Sequence, residues 1–158
     1  MQNKTITIIQ DRNGIAFEPN EKLPFTGLYE VYENGQLEYR CSYGNGLKNG
    51  LLERYYRNGQ KSVECNLKNG KSNGLNTSWH KNGQIASKGN YIDDKVNGLH
   101  TDWHENGQKA FEGNYINGKP NGLHTYWHEN GIVEEQNDYE NGNEVGSFLW
   151  SISKIFKK

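Results

Sequence analysis

Five histidines fall in two columns of this sequence. His80, His104 and His128 lie 24 residues apart, and His100 and His124 keep the same step. His124 and His128 stand four residues apart, as do His100 and His104, and such a pair could grip a metal. Ser78, His80 and Asp102 offer a hydroxyl, an imidazole and a carboxylate, the parts of a nucleophilic triad. "CNLKNGKS", Cys65–Ser72, ends like a phosphate-binding loop. What each can do depends on the element that positions it.

Those elements are tiles of a repeat. Fourteen of the 19 glycines follow an asparagine. One set falls at Gly35, Gly59, Gly83, Gly107 and Gly131, and another at Gly50, Gly74, Gly98, Gly122 and Gly146, each in steps of 24. Tyr43, Leu67, Tyr91, Tyr115 and Tyr139 form a column with that step, as do Val31, Tyr55, Trp79, Trp103 and Trp127. A fixed period with several locked columns signals a repeat array.

Each unit reads Gly-Leu-x-x-x-aromatic-x-x-Asn-Gly, then about eight alternating residues, then a polar loop with another Asn-Gly. Asn-Gly between alternating segments is the strongest short-range hairpin signal. The expected fold is therefore all-β: tandem hairpins with a 24-residue period in one elongated, twisted antiparallel sheet. Side-chain parity favours a three-residue loop at Glu105-Asn106-Gly107, a type I turn with glycine in the left-handed bulge position. A two-residue loop would set Trp103 on a face with Glu112 and Asn114. The three-residue loop gathers Leu99, Thr101, Trp103, Phe111 and Tyr115 as an apolar face. His100, Asp102, His104, Ala110, Glu112 and Asn114 then face solvent. Residues 1–26 are expected to be a degenerate capping hairpin, 27–146 five repeats, and 147–158 a C-terminal cap, either a closing strand or a short helix.

On this template the candidate sites thin out. Residues i and i+4 of a strand lie about 13 Å apart, and equivalent residues of neighbouring hairpins about 9.5 Å apart. Zinc needs ligand atoms within about 2.1 Å of the ion, so the histidines are expected to be surface residues and no metal is expected. Cys41 and Cys65, one period apart, exceed the roughly 7 Å Cα limit for a disulfide and are expected to be free, interior thiols. "CNLKNGKS" lacks the first glycine of a phosphate loop and no helix follows, so no nucleotide or other cofactor is expected. Ser78, His80 and Asp102 fall where the template puts exposed polar residues. No catalytic constellation results, and the chain is not expected to be an enzyme.

Bulk properties agree with a thin, ordered fold. Hydrophobic residues make up 32% of 158 and mean hydropathy is −1.03, yet aromatics reach 12% and net charge is −1. Low charge and abundant aromatics argue against disorder, and a near-neutral chain lacks the basic stripe of a nucleic-acid binder. No signal peptide or roughly 20-residue apolar span is visible, which makes the cytoplasm the expected compartment.

Units such as "GLHTDWHENGQKAFEGNYINGKPNG" and "GLLERYYRNGQKSVECNLKNGKSNG" resemble MORN repeats, in the bacterial variant found in proteins labelled antitoxins. "PFTG", Pro24–Gly27, resembles the opening segment of that group, and the likeness covers about residues 12–146. It implies stacked hairpins that bind proteins or, in some members, membrane lipids. The kinase label some MORN proteins carry does not transfer, because this chain has no kinase segment. The expectation is an antitoxin or immunity-type protein that occludes a toxin. Its candidate partner-binding residues are Trp79, Trp103, Trp127, His80, His100, His104, His124, Tyr126 and His128, with specificity from Asn76, Ser78, Ala86, Lys88 and their equivalents. The alternative is a membrane-associated scaffold whose "WSISKIFKK" touches lipid. Open sheet edges would also permit end-to-end association.

Overall fold

The computed structural model describes residues 5–6 and 9–149, with side chains from Ile9 to Phe148. The meander starts with β4 (Gly27–Glu33) and β5 (Gln36–Gly44) and continues with β6 (Leu47–Tyr55), β7 (Lys61–Lys68), β8 (Lys71–Trp79), β9 (Ile85–Ile92), β10 (Lys95–Trp103) and β11 (Lys109–Ile116). The next strand is split, because Pro120 has no N–H to give the ladder: β12 (Lys119–Pro120) and β13 (Gly122–Trp127) both pair with β11. β14 (Val133–Glu140) and β15 (Asn143–Leu149) complete it. Each strand pairs antiparallel with the next, in one open sheet with no helix among the described residues.

At the first edge, β1 (Thr5–Ile6) pairs parallel with β4. β2 (Gln10–Arg12) and β3 (Ile15–Phe17) form a separate hairpin around Asn13-Gly14. Ala16 and Phe25, both buried, lie over Cys41, Tyr43, Leu52 and Cys65, the main apolar cluster. Three backbone bonds clamp the hairpin there: Ala16 N–H to Gly46 O, Phe25 N–H to Ala16 O, and Gly46 N–H to Phe25 O, at 2.7–2.8 Å. Residues 147–149 finish β15, and the rest of the expected C-terminal cap, 150–158, lies outside the described residues.

The hairpin tips follow the expected turn. His104 N–H donates to Gln108 O and Gly107 N–H to His104 O, both at 2.9 Å, around Glu105-Asn106-Gly107, with Gly107 at φ +84°. Tyr56, His80 and His128 head identical loops. The first repeat differs. It is one residue shorter, and Glu33 pairs directly with Gln36 around Asn34 (φ 51°) and Gly35 (φ 80°), a two-residue turn. Its aromatic column accordingly begins at Tyr32, opposite Leu37, and Val31 lies on the other face, opposite Tyr39.

The expected faces are corrected. Trp103 pairs with Lys109, but Asp102 pairs with Phe111, so Ala110 is a bulge. Glu38, Ser62, Ala86 and Glu134 are the equivalent extra residues. One inserted residue reverses the parity of everything beyond it. Turn bulge and strand bulge together restore the faces of the rejected two-residue loop. Trp103 shares its face with Glu112 and Asn114, while Phe111 and Tyr115 share theirs with His100 and Asp102.

Candidate functional site

One face, here the tyrosine face, carries His100, Phe111, Tyr115, His124, Tyr126 and Tyr139 at its C-terminal end. These rings pack on one another: His124 lies 5.4 Å from Phe111, 5.0 Å from Tyr115 and 4.8 Å from Tyr139, centroid to centroid. Phe111 and Tyr126 approach to 4.9 Å. His124 is 2% exposed, and its Nε2–H donates to Asn114 O at 2.9 Å. Histidines expected at the surface are therefore part of the packed interior. Their rings fit because the preceding strand supplies glycine: a Cβ on Gly113 would lie 2.6 Å from the His124 ring, and one on Gly89 2.5 Å from His100 Nδ1. In earlier repeats Cys41 and Cys65 occupy that column, both buried and free, with Leu52 registered between them.

His100 also has polar neighbours. Its Nε2 lies 3.1 Å from Asp102 Oδ1 and 3.4 Å from Ser87 Oγ. Burial pushes the Asp102 carboxyl up, but hydrogen bonds from His100 and Ser87 outweigh this and hold it below its usual value. A triad base needs its carboxylate on one ring nitrogen and its nucleophile on the other. Here both meet Nε2, and buried Nδ1 has no partner. The arrangement positions a ring; it does not activate Ser87. Of the residues weighed as triad parts, Ser78 and Asp102 lie on the tyrosine face, whereas His80 sits at a hairpin tip with its Nε2 on Trp103 O.

The tip residues stitch repeat to repeat. His80 Nε2–H donates to Trp103 O (2.7 Å), His104 Nε2–H to Trp127 O (2.8 Å), and Tyr56 O–H to Trp79 O (2.7 Å). Asn58, Asn82 and Asn106 donate from Nδ2 to Lys81 O, Glu105 O and Glu129 O. His128 differs: it is exposed, 3.7 Å from Glu134. The i, i+4 pairs therefore do not share a face. His124 is interior, and His128 belongs to a loop. Among the described residues no group of three His, Cys, Asp or Glu side chains is placed to hold a metal ion.

The opposite, tryptophan face carries three parallel rows. Trp79, Trp103 and Trp127 are half-buried, with Lys61 Nζ 5.8 Å over Trp79 and Lys109 Nζ 5.8 Å over Trp127. Beside them lie Glu30, Glu53, Thr77, Thr101 and Thr125, of which Thr77 is half-buried and the others buried. At the N-terminal end that row is an ion-pair ladder. Arg40 bridges Glu30 (2.8 Å) and Glu53 (3.2 Å), and Lys61 bridges Glu53 (2.7 Å) and Glu64. Burial raises the Glu53 carboxyl, but Lys61 and Arg40 outweigh it and its pKa falls below the usual value. The third row is Leu51, Leu75, Leu99 and Leu123, exposed by 37%, 40%, 50% and 49%.

Of the nine candidate binding residues, the tryptophans lie on this face, His80, His104 and His128 at its tip edge, and His100, His124 and Tyr126 on the opposite face. Asn76 and Ser78 belong to the tyrosine face, Lys88 to the tryptophan face, and Ala86 is a bulge, so the expected specificity positions form no common surface. The sequence reading missed the leucine row as an exposed feature, because parity placed it in a core. A signal for the histidines was present: Gly89 and Gly113 each precede a column histidine by 11 residues, where Cys41 and Cys65 precede Leu52 and Asn76.

The MORN repeat variant family matches this chain at residues 26–45, 48–69, 72–93, 96–117 and 120–141. No curated protein matches it. Five matched segments cover more than half of the chain, each spanning one strand pair and the Asn-Gly turn at its tip, and the protein belongs to the MORN repeat variant family.

Proposed function

We propose that this protein is a non-catalytic binding scaffold of the antitoxin or immunity type, whose tryptophan face occludes a partner protein. The observation that carries the reading is the leucine row. Four leucines stand in one line about 9.5 Å apart, each more than a third exposed, beside a row of tryptophans. Exposed Asn66, Asn90 and Asn114 stand between successive leucines, and the threonine row separates them from the tryptophans, so the face offers apolar and aromatic anchors among amide and hydroxyl groups, a mixture that suits a protein partner. Lys88 and Glu112, registered with the threonines between the two rows, and Lys109, opposite Trp103, supply charges within the face that set orientation. The scaffold works in the cytoplasm, beside a toxin encoded nearby. Co-expression with the product of the neighbouring reading frame tests this: a stable complex and relief of toxicity are expected. A neighbour that is harmless and does not co-purify overturns the antitoxin reading.

A second reading, membrane association, has its own observation. Ile92 and Ile116, 49% and 54% exposed, pair across their turns with exposed Lys95 and Lys119 on the edge next to the leucine row. Apolar and basic side chains alternating along an edge suit an anionic lipid surface. Sedimentation with phosphatidylserine vesicles, lost on replacing Lys95 and Lys119 with glutamate, supports this reading. No sedimentation at low salt sinks it.

A further inference from the structure

Asn-Gly is the sequence most prone to spontaneous loss of the asparagine amide, and this chain carries it fourteen times. The glycine nitrogen attacks the asparagine Cγ. An N–Cγ bond forms, the Cγ–Nδ2 bond breaks, and ammonia leaves with the glycine proton. Water then opens the resulting succinimide at either carbonyl, giving an aspartyl or an isoaspartyl linkage. Two features slow the first step: a hydrogen bond that occupies the glycine N–H, and bonds that hold the side-chain amide.

The array supplies the first at nine copies and both at three of them. At the inter-hairpin edge Gly46, Gly70, Gly118 and Gly142 donate to Phe25 O, Lys48 O, Val96 O and Pro120 O at 2.7–2.9 Å. At the opposite edge Gly59, Gly83, Gly107 and Gly131 donate within their own three-residue loops at 2.9 Å. Asn58, Asn82 and Asn106 are further held by donation to the next repeat. Gly14 N–H donates to Asp11 Oδ1 at 2.8 Å. Asn49, Asn73, Asn97 and Asn121 precede glycines that belong to strands β6, β8, β10 and β13.

Asn34-Gly35 has neither protection. Its turn has two residues where its neighbours along that edge have three, because repeat one lacks the residue that elsewhere is Tyr56, His80, His104 or His128. The shorter turn leaves the Gly35 N–H and the Asn34 side chain without a hydrogen-bonding partner among the described residues, and both residues are exposed. We infer that Asn34 is a built-in site of deamidation and isoaspartate formation, set apart by the missing residue of the first repeat from nine copies whose glycine N–H is hydrogen-bonded and four whose glycine lies within a paired strand. The product adds a negative charge beside Glu33, whose Oε2 faces Arg57 Nε at 3.5 Å.

The test is peptide mapping by mass spectrometry after incubation of the folded protein at mildly alkaline pH, with enzymatic methylation to detect isoaspartate. The Asn34-Gly35 peptide is expected to convert first, roughly five- to tenfold faster than the Asn58, Asn82 and Asn106 peptides, the factor a single net hydrogen bond carries. In denaturant that lead should vanish, because the protection belongs to the fold. Inserting a histidine between Tyr32 and Glu33 restores the three-residue loop and should slow Asn34 to the rate of Asn58. Another peptide converting first in the folded protein overturns the inference, and so does an equal lead for Asn34 in denaturant.

Discussion

Residue identity matters here through what each strand offers its neighbour. His124 occupies its position because Gly113 leaves room for the ring and Asn114 O accepts its Nε2–H. His124→Ala removes a buried ring and strands a carbonyl. Its expected cost is about 2–4 kcal/mol, whereas exposed His128→Ala should stay within about 0.5 kcal/mol. Urea midpoints of the two variants check this, and equal shifts would return both histidines to one environment. Gly46 makes a comparable demand. At φ +77° a Cβ there would lie 2.3 Å from Ile15 Cγ2 and 2.9 Å from Ala16 O. Gly46→Ala should therefore cost about 1–3 kcal/mol and loosen the clamp of the β2–β3 hairpin, read as faster amide exchange at Ala16 and Phe25.

At the scale of elements, the hairpin is what period and turn chemistry make visible. Asn-Gly marked the tip turn of every unit and the turn to the next unit in all but the third, where Asp93-Asp94 stands instead, and the tip loop at Glu105-Asn106-Gly107 has the expected bonds. The bulge at Ala110 was not visible, because a small residue between Lys109 and Phe111 reads the same bulged or regular. The rule that apolar residues share a face then chose the wrong parity. It failed because in a single-layer sheet both faces are partly buried, and buried Glu53, Thr101 and Thr125 lie among the tryptophans. The short first loop was visible as a missing residue, though its column was misaligned by one at Val31.

The ion-pair ladder joining β4 to β7 carries a pH signature. Glu53 has a folded pKa below its unfolded value of about 4.3. Its contribution is therefore present above that pH and lost as pH falls through the lower folded value. Glu53→Gln should cost roughly 1.5–3 kcal/mol at neutral pH, and the gap from wild type should close on acidification below about pH 4.3. Thermal melts of both proteins across that range test the sign: a gap that widens in acid contradicts the ladder.

Over the whole molecule, the two faces divide the work. Cysteine, tyrosine, histidine and phenylalanine pack on one side, while leucine and tryptophan rows run along the other, half open to solvent. Tip bonds from Tyr56, His80 and His104 tie successive repeats into one surface, so an array of locally coupled hairpins presents an extended line of contacts. No helix among the described residues is long and apolar enough to cross a membrane. The most direct measurement is calorimetric binding of the neighbouring gene product to wild type and to the Leu75→Glu, Leu99→Glu double variant. Both changes fall at exposed positions and leave the tyrosine face untouched. Binding by wild type and a loss of at least 2 kcal/mol, roughly thirtyfold, in the double variant is the predicted result. Undiminished affinity in the variant would contradict the assignment of the leucine and tryptophan face as the docking surface.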